Sequence, residues 1–493
     1  MNLVEKIGQL FVVAAPPEDD LLRHVRDHHV GGILWLPTTA RRARELTAQL
    51  QAVATTPLLV SADLESGLGM RMTDATWWPP AMAVAATGDA NLAYEMGRIT
   101  AIEASAVGIN HILAPVADVN VDPANPVINT RSFGEDAHDV ARFVAAFVRG
   151  VQSQGLLATA KHFPGHGDTH VDSHRALPVL DVTRERLDNV ELVPFRAAIE
   201  AGVASVMIGH LAIPVLDPTP APVINAEICY GTHADEVTQG GTLPATVSSR
   251  VMRDLLRGEL GFNGLVISDA FDMGGVASHF DAGEAAVRAL EGGMDQILMP
   301  ADVDAAIAAV HRAVTTGRIS HARLDESVER VLDAKKRVQF EPADFALIDR
   351  REHLVVAEEI ARKAVRVVRD DNGLIPLRGT NALTIVATDL EEANPLTELK
   401  GAHFVGPQTR YHEVHDLASR ASVVVLALAA RPKSGAGRIA VPAAAQQLFE
   451  TFARKMVVIS FGSPYVMADA PTLVHAFGIQ PILQRAALRL VRG

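Results

Sequence analysis

The chain has 493 residues, 48% of them hydrophobic and 21% charged, so two or three domains with sizeable cores are expected and a disordered chain is excluded. A formal net charge of −13 argues against a nucleic-acid partner, which asks for a basic face. The only cysteine, Cys229, rules out an intrachain disulfide and fits a reducing compartment.

The N-terminus, Met1-Asn-Leu-Val-Glu-Lys-Ile7, has no basic segment ahead of a long apolar run, and no apolar stretch approaches the roughly 20 residues of a membrane helix. The expectation is a cytoplasmic protein with no membrane partner. Over the first two thirds, short β-branched runs alternate with amphipathic helical patterns. Strands are predicted at residues 9–13, 32–36, 58–63, 111–116, 157–162, 205–209, 265–269 and 296–299. Between them lie helical patterns such as 40–53, 92–107, 137–153 and 248–260, the last with Ser248-Ser249 as N-cap and Gly261 as C-cap. Eight strands alternating with helices predict a (β/α)8 TIM barrel over residues 1–340, with an open doubly wound sheet as the alternative.

Residues 304–317 read as the last barrel helix, and 324–336 as a helix under or beside the barrel. Glu341-Pro-Ala-Asp344 marks the boundary. From 350 to 493 a helix at 354–367 and apolar runs at 383–387, 422–429, 456–461 and 473–476 predict a smaller α/β sandwich with a mostly parallel sheet. Lys433-Ser-Gly-Ala-Gly-Arg438 lacks the spacing of a phosphate-binding loop and reads as a plain loop.

A barrel of this kind carries its active site at the C-terminal ends of its strands. Odd polar residues cluster at those ends: Asp63 and Glu65, Asp118, Lys161 and His162, His210, and Asp269. The densest stretch runs from Lys161 to His174, with four histidines, two aspartates and a lysine in fourteen residues. Within it Asp172-Ser-His174 suits a carboxylate that fixes the tautomer of an imidazole and raises the basicity of its other nitrogen. Such pairs are also common in ordinary loops. The spacing of four between His162, His166, His170 and His174 would align metal ligands on a helix, but Pro164, Gly165 and Gly167 break the helix. Asp269 ends an apolar run, where a carboxylate can attack or stabilise an electrophilic carbon. Asp272 fits an N-cap better. Lys161 and His162 are donors for hydroxyl groups, or members of a buried ion pair with a barrel aspartate such as Asp63. Arg71 and Arg131 follow strands three and four.

Together these pieces resemble family 3 glycoside hydrolases, and within them the β-N-acetylglucosaminidases. The carrying motifs are Asp63-Leu-Glu-Ser-Gly67 with Met70-Arg71; Ala114-Pro-Val-Ala-Asp118-Val-Asn120 through Asn125-Pro-Val-Ile-Asn-Thr-Arg131-Ser-Phe-Gly134; Lys161-His-Phe-Pro-Gly-His-Gly167 with Asp172-Ser-His174; and Gly261-Phe-Asn-Gly-Leu-Val-Ile-Ser-Asp269. They stand in family order, except that Ser66 replaces a usual glycine. The resemblance implies a retaining double displacement. Asp269 would be the nucleophile and His174 the general acid and then base, with Asp172 orienting it. Asp63, Arg71, Arg131, Lys161 and His162 would bind the sugar. It implies a small carbohydrate substrate, either short β-linked N-acetylglucosamine oligomers or muropeptide fragments met in cell-wall recycling, and no cofactor or metal. The segment 217–243, with Cys229, Tyr230 and His233, is longer than expected. It would lid the site, contact the second domain or form a homodimer interface. The second domain, with Ala364–Leu377 and Ser460-Phe-Gly-Ser-Pro464 resembling the family's, is expected to pack against the barrel without a residue that must be catalytic. Competing readings are a phosphorylase or β-glucosidase of the same family, a non-catalytic sugar-binding barrel, and a metal-dependent hydrolase using the histidine-rich loop.

Overall fold

The computed structural model describes residues 1–15, 18–222, 224, 241–378 and 381–493. Cys229, Tyr230 and His233 therefore lie outside the described residues. Eight parallel strands close a barrel in sequence order: β1 (Phe11–Ala15), β2 (Gly32–Trp35), β3 (Leu59–Ala62), β4 (His111–Ile112), β5 (Leu157–Phe163), β6 (Ser205–Ile208), β7 (Leu265–Ala270) and β8 (Gln296–Leu298). Closure comes from β1 on β8, with Phe11 opposite Ile297. All eight coincide with apolar runs whose two faces are both covered, one by helices and one by the barrel interior.

The interior is filled in layers. The floor is Leu59, Leu157, Ala204 and Leu265, sealed by Val331, Ala334 and Val338. The last group comes from and just follows the helix His321–Lys336, which crosses the N-terminal end of the barrel. Above it His111, fully buried, places Nδ1 3.1 Å from Ser61 Oγ and Nε2 2.9 Å from Thr159 Oγ1. Burial pulls this imidazole down to about 4, so it is neutral and satisfied. Val12, Leu34, Leu113, Met207, Ile267 and Leu298 form a further layer. Leu34, Met207 and Leu298 of this layer also line the cavity above it.

The floor holds one unusual charge. Lys335 is 4% exposed, and its Nζ donates to Gln9 Oε1 at 2.6 Å. Burial pulls the ammonium from 10.5 down to about 7. Because the folded value is the lower one, the unfolded chain binds the extra proton between those pH values. The group's contribution to stability is complete above 10.5 and is lost as the pH falls through 7. Lys335→Met is expected to raise stability by about 2 kcal/mol at pH 6 and by much less at pH 10, after the loss at Gln9 is offset. Urea unfolding at both pH values measures it. An equal change at the two would sink the burial argument.

The second domain is a six-stranded sheet in the order β11-β10-β12-β13-β14-β9. The strands are β9 (Arg366–Asp370), β10 (Ala382–Ala387), β11 (His403–Val405), β12 (Val423–Leu428), β13 (Met456–Ser460) and β14 (Thr472–His475). All pairings are parallel except β9 on β14. The helix expected at 354–367 runs instead from Arg351 to Ala364. Val367 and Val368, stiff at χ1, go into the antiparallel edge strand β9. Ser248-Ser249 starts the helix Arg250–Glu259 as expected, with the capping bond made by Ser248. Ser249 is the N-cap residue without a side-chain bond, and Ser248 Oγ donates to Asp217 Oδ2 at 2.5 Å while accepting from Val251 N at 3.4 Å.

The carboxyl ends of β12 and β14 face the carboxyl ends of the barrel strands, so the two domains share one cleft. Buried Glu103 ties them together, accepting from Thr76 Oγ1 and His353 Nδ1, both at 2.7 Å, and from Asp349 N at 3.1 Å. Tyr465 Oη donates to Glu135 at 2.5 Å and accepts from Asn120 Nδ2 at 3.2 Å. Among the described residues, no helix is long and apolar enough to cross a membrane.

Candidate active site

The cleft contains a cavity of about 760 Å³ whose wall includes Asp63, Arg71, Arg131, Lys161, His162, Asp172, His174 and Asp269. These eight residues thus reach one space, carried there by the ends of β3, β5 and β7 and by the loops that follow β3, β4 and β5.

One side is an ion-pair array. Lys161 Nζ lies 2.7 Å from both Asp63 Oδ1 and Glu65 Oε1 and is itself 1% exposed. Arg71 Nη2 donates to Asp63 Oδ2 at 2.5 Å. Arg131 grips Glu65 with two bonds, Nε to Oε2 at 2.8 Å and Nη2 to Oε1 at 2.7 Å. Burial alone would raise both carboxyls, but Lys161 with Arg71 at Asp63, and Arg131 with Lys161 at Glu65, outweigh it and hold both well below the carboxylate range. Burial would likewise lower the Lys161 ammonium, and Asp63 and Glu65 raise it instead. The array is a fixed, charged wall suited to hydroxyl groups, because its donors and acceptors are already aligned.

Asp118, fully buried, organises the start of the histidine-rich loop. It accepts from His166 N at 2.7 Å, from His162 N at 3.2 Å and from His162 Nδ1 at 2.7 Å. That leaves His162 Nε2 towards the cavity, 3.5 Å from Arg131 Nη2. His166 is structural. Thr169 Oγ1 donates to His166 O at 3.0 Å and so accepts from Nδ1–H at 2.7 Å, while Nε2 meets Ser173 Oγ at 3.1 Å. Burial takes it down to about 4. The side chain of His170 is 79% exposed and pairs with Asp122. The four histidines of the loop thus have four separate partners, and a metal centre there finds no support in this geometry. Among the described residues, the one His/Asp group close enough to share an ion is His24, His28 and Asp304, elsewhere on the barrel.

The dyad foreseen at Asp172 and His174 forms. Asp172 Oδ1 accepts from His174 N at 3.0 Å and from its Nδ1–H at 2.8 Å, which leaves Nε2 as the nitrogen free to work. Burial would lower the imidazole, but Asp172 and then Asp269 raise it, so His174 holds its proton above the usual 6.5. Asp269 is the penultimate residue of β7, and its Oδ1 accepts from Ala270 N at 2.9 Å. Burial would raise this carboxyl, yet His162, His210 and His174 hold it below the usual 3.8. His210 Nε2 donates to Ala270 O at 2.8 Å and fixes the same segment. The loop bearing Asp269 and the loop bearing the dyad are pinned together, since Gly274 N donates to His174 O at 3.2 Å and Gly275 N to Ser173 O at 3.0 Å. A carboxylate kept ionised thus shares the cavity with an imidazole kept protonated, the pairing that nucleophile and acid require.

Asp272 does not cap the following helix. Met273 is the N-cap residue of Gly274–Ala277, and Asp272 lines the cavity with its carboxyl pushed up by burial. Glu65 and Asp118 were visible as oddly placed acids, but only their partners give them work. The second domain was expected merely to pack, and it does more. Arg431, Pro432, Lys433, Ser434, Phe477, Gly478, Ile479 and Gln480 line the same cavity. Gln480 is 5% exposed, and its Oε1 has no hydrogen-bond partner among the described residues. Nothing in the local pattern around these residues pointed to the barrel's mouth.

The family model described as Glycosyl hydrolase family 3 N terminal domain matches residues 2–334. A beta-N-acetylglucosaminidase/beta-glucosidase of Cellulomonas fimi is 32% identical over 532 aligned residues, covering 99% of this chain and 91% of the relative. The solved structure of a family 3 beta-N-acetylglucosaminidase from Paenibacillus sp. str. FPU-7 superposes with a TM-score of 0.85 at 33% identity, covering 100% of this chain and 97% of that one. A solved beta-glucoside phosphorylase gives a TM-score of 0.87 at 26% identity, covering 100% and 92%.

Proposed function

The chain belongs to glycosyl hydrolase family 3, and on that premise we propose that it is an exo-acting, retaining β-N-acetylglucosaminidase that frees terminal β-linked N-acetylglucosamine from short oligosaccharides, muropeptide fragments among them. The observation that carries this reading is the Asp172–His174 pair standing in the cavity that holds Asp269.

In the first step the Asp269 carboxylate attacks the anomeric carbon. The bond to the leaving oxygen breaks, and His174 Nε2–H gives that oxygen its proton. In the second step His174, now neutral, takes a proton from water as the water attacks the same carbon, and Asp269 leaves as carboxylate. Two inversions give retention. The ion-pair array of Asp63, Glu65, Arg71, Arg131 and Lys161, together with His162, holds the sugar's hydroxyls while charge develops on the ring. The single cysteine supports a cytoplasmic setting.

A second reading keeps the same first step and lets phosphate replace water in the second. A neutral histidine base repels the dianion less than a carboxylate would, and the likeness to a beta-glucoside phosphorylase supports it. The test is product analysis on chitobiose and on 4-nitrophenyl β-N-acetylglucosaminide and β-glucoside, with and without inorganic phosphate. Free β-N-acetylglucosamine as first product in both buffers is expected. A sugar 1-phosphate formed only with phosphate present selects the phosphorylase, and preference for the glucoside overturns the acetamido specificity.

A further inference from the structure

The dyad is completed from outside the barrel. Asp172 has two carboxylate oxygens, and His174 uses one. Oδ2 points the other way and accepts from the backbone N–H of Gly435, 263 residues later, at 2.9 Å. The Asp172 side chain has no exposure to solvent. Water therefore does not stand ready to replace that donor. A buried carboxylate with an unmet oxygen turns or takes a proton, and either event loosens its hold on the imidazole.

The loop that brings this donor is held at several points. Ala436 N donates to Lys433 O at 3.0 Å, closing a turn in which Gly435 stands at φ +76. A Cβ at residue 435 would meet nothing within 4 Å, so the left-handed backbone, not space, is what asks for glycine there. Gly437 is left-handed as well, at φ +71, and a Cβ there would lie 2.2 Å from Nη1 of Arg175, the residue after the dyad histidine. Arg431 pairs with Glu392 at 2.9 Å and Arg438 with Asp389 at 2.6 Å, anchoring both ends of the loop in the second domain.

We propose that Gly435 is a positioning residue for acid/base catalysis, its N–H orienting Asp172 so that the second domain, by docking on the barrel, sets the proton-transfer competence of His174. The inference rests on the reading of His174 as the acid/base. It makes the 431–438 loop part of the catalytic apparatus and makes domain docking a condition for cleaving substrates with poor leaving groups.

The test compares leaving groups in the full-length protein. The variant is an ester in place of the amide at residue 435, which removes the N–H while keeping the glycine backbone; proline is no substitute, because it cannot take φ +76. For the ester variant, kcat/KM on chitobiose is expected to fall about 10- to 100-fold, the worth of a hydrogen bond to a charged group, with less than about a 3-fold change on the 4-nitrophenyl glycoside. Equal losses on both substrates, which is what a purely structural role gives, overturn the proposal, as does no loss on either from the ester variant. His174→Ala is run alongside. If it too lacks leaving-group dependence, the acid/base reading has failed and the proposal falls with it. If it shows the dependence and the ester variant does not, only the role of Gly435 is rejected.

Discussion

Asp269→Ala is expected to lower kcat on 4-nitrophenyl β-N-acetylglucosaminide by about 10⁴- to 10⁶-fold, the scale on which loss of a catalytic nucleophile is felt. The activated substrate is the stringent choice because its phenolate leaves without a proton, so no weakness in acid catalysis can hide the loss. The carboxylate has one oxygen on Ala270 N and is kept ionised by three surrounding imidazoles despite its burial. Alanine removes both the attacking oxygen and the charge that steadies the oxocarbenium-like transition state. A second consequence follows from the same electrostatics. Asp269 helps to keep the proton on His174, so that imidazole is expected to titrate lower in the variant, which NMR detects directly. Activity above about 1% of wild type, with the fold intact, would falsify the nucleophile assignment, since residual binding and electrostatics leave far less than that.

His174→Ala is expected to separate the two half-reactions. On chitobiose, whose leaving alkoxide needs a proton, kcat/KM should drop about 10²- to 10⁴-fold. On the 4-nitrophenyl glycoside kcat/KM should change little, because it reports only the steps up to formation of the covalent intermediate. The turnover number should still fall, as water then lacks its base, and KM should fall with it as the glycosyl-enzyme accumulates. Azide, a nucleophile that needs no base, should restore the turnover and yield the β-glycosyl azide. The pH profile gives an independent check. Wild-type kcat/KM should fall on the acid side below 3.8, where Asp269 takes a proton, and on the basic side above 6.5, where His174 loses its own. The basic limb should be seen on chitobiose, where the proton is used, and should vanish in His174→Ala. A variant that keeps the limb, or that is slowed equally on both leaving groups, would assign the proton transfer to another residue.

Much of the fold was legible because its signals are local. Each barrel strand is a short apolar run bounded by turn residues, and the helices between them carry the 3.6-residue period. Residues 40–53 form a helix with the same bounds as its pattern. The misplaced helix end at residue 364 has the same origin read the other way. Residues 365–368 suit either a helix or a strand by local preference, and the free edge of β14 decides for the strand. His403–Val405 has only three residues, too few for a period to show.

The site divides along the same line. The sequence by itself determined which chemical groups stand at the barrel's mouth, because the carboxyl ends of all the strands in a closed parallel barrel open on the same side. That is enough to bring Asp63, Lys161, His162 and Asp269 to one cavity, and the two-residue span of Asp172 and His174 lets the dyad close within its own loop. Only the tertiary structure decided which charge answers which: that Lys161 serves two carboxylates, that Arg131 is held by Glu65, that Asp118 gathers three N–H groups, and that the second oxygen of Asp172 belongs to Gly435. Those partners lie tens to hundreds of residues apart. The first three pairings are set by how the barrel closes and the last by how the second domain docks on it, and no local period or spacing encodes them.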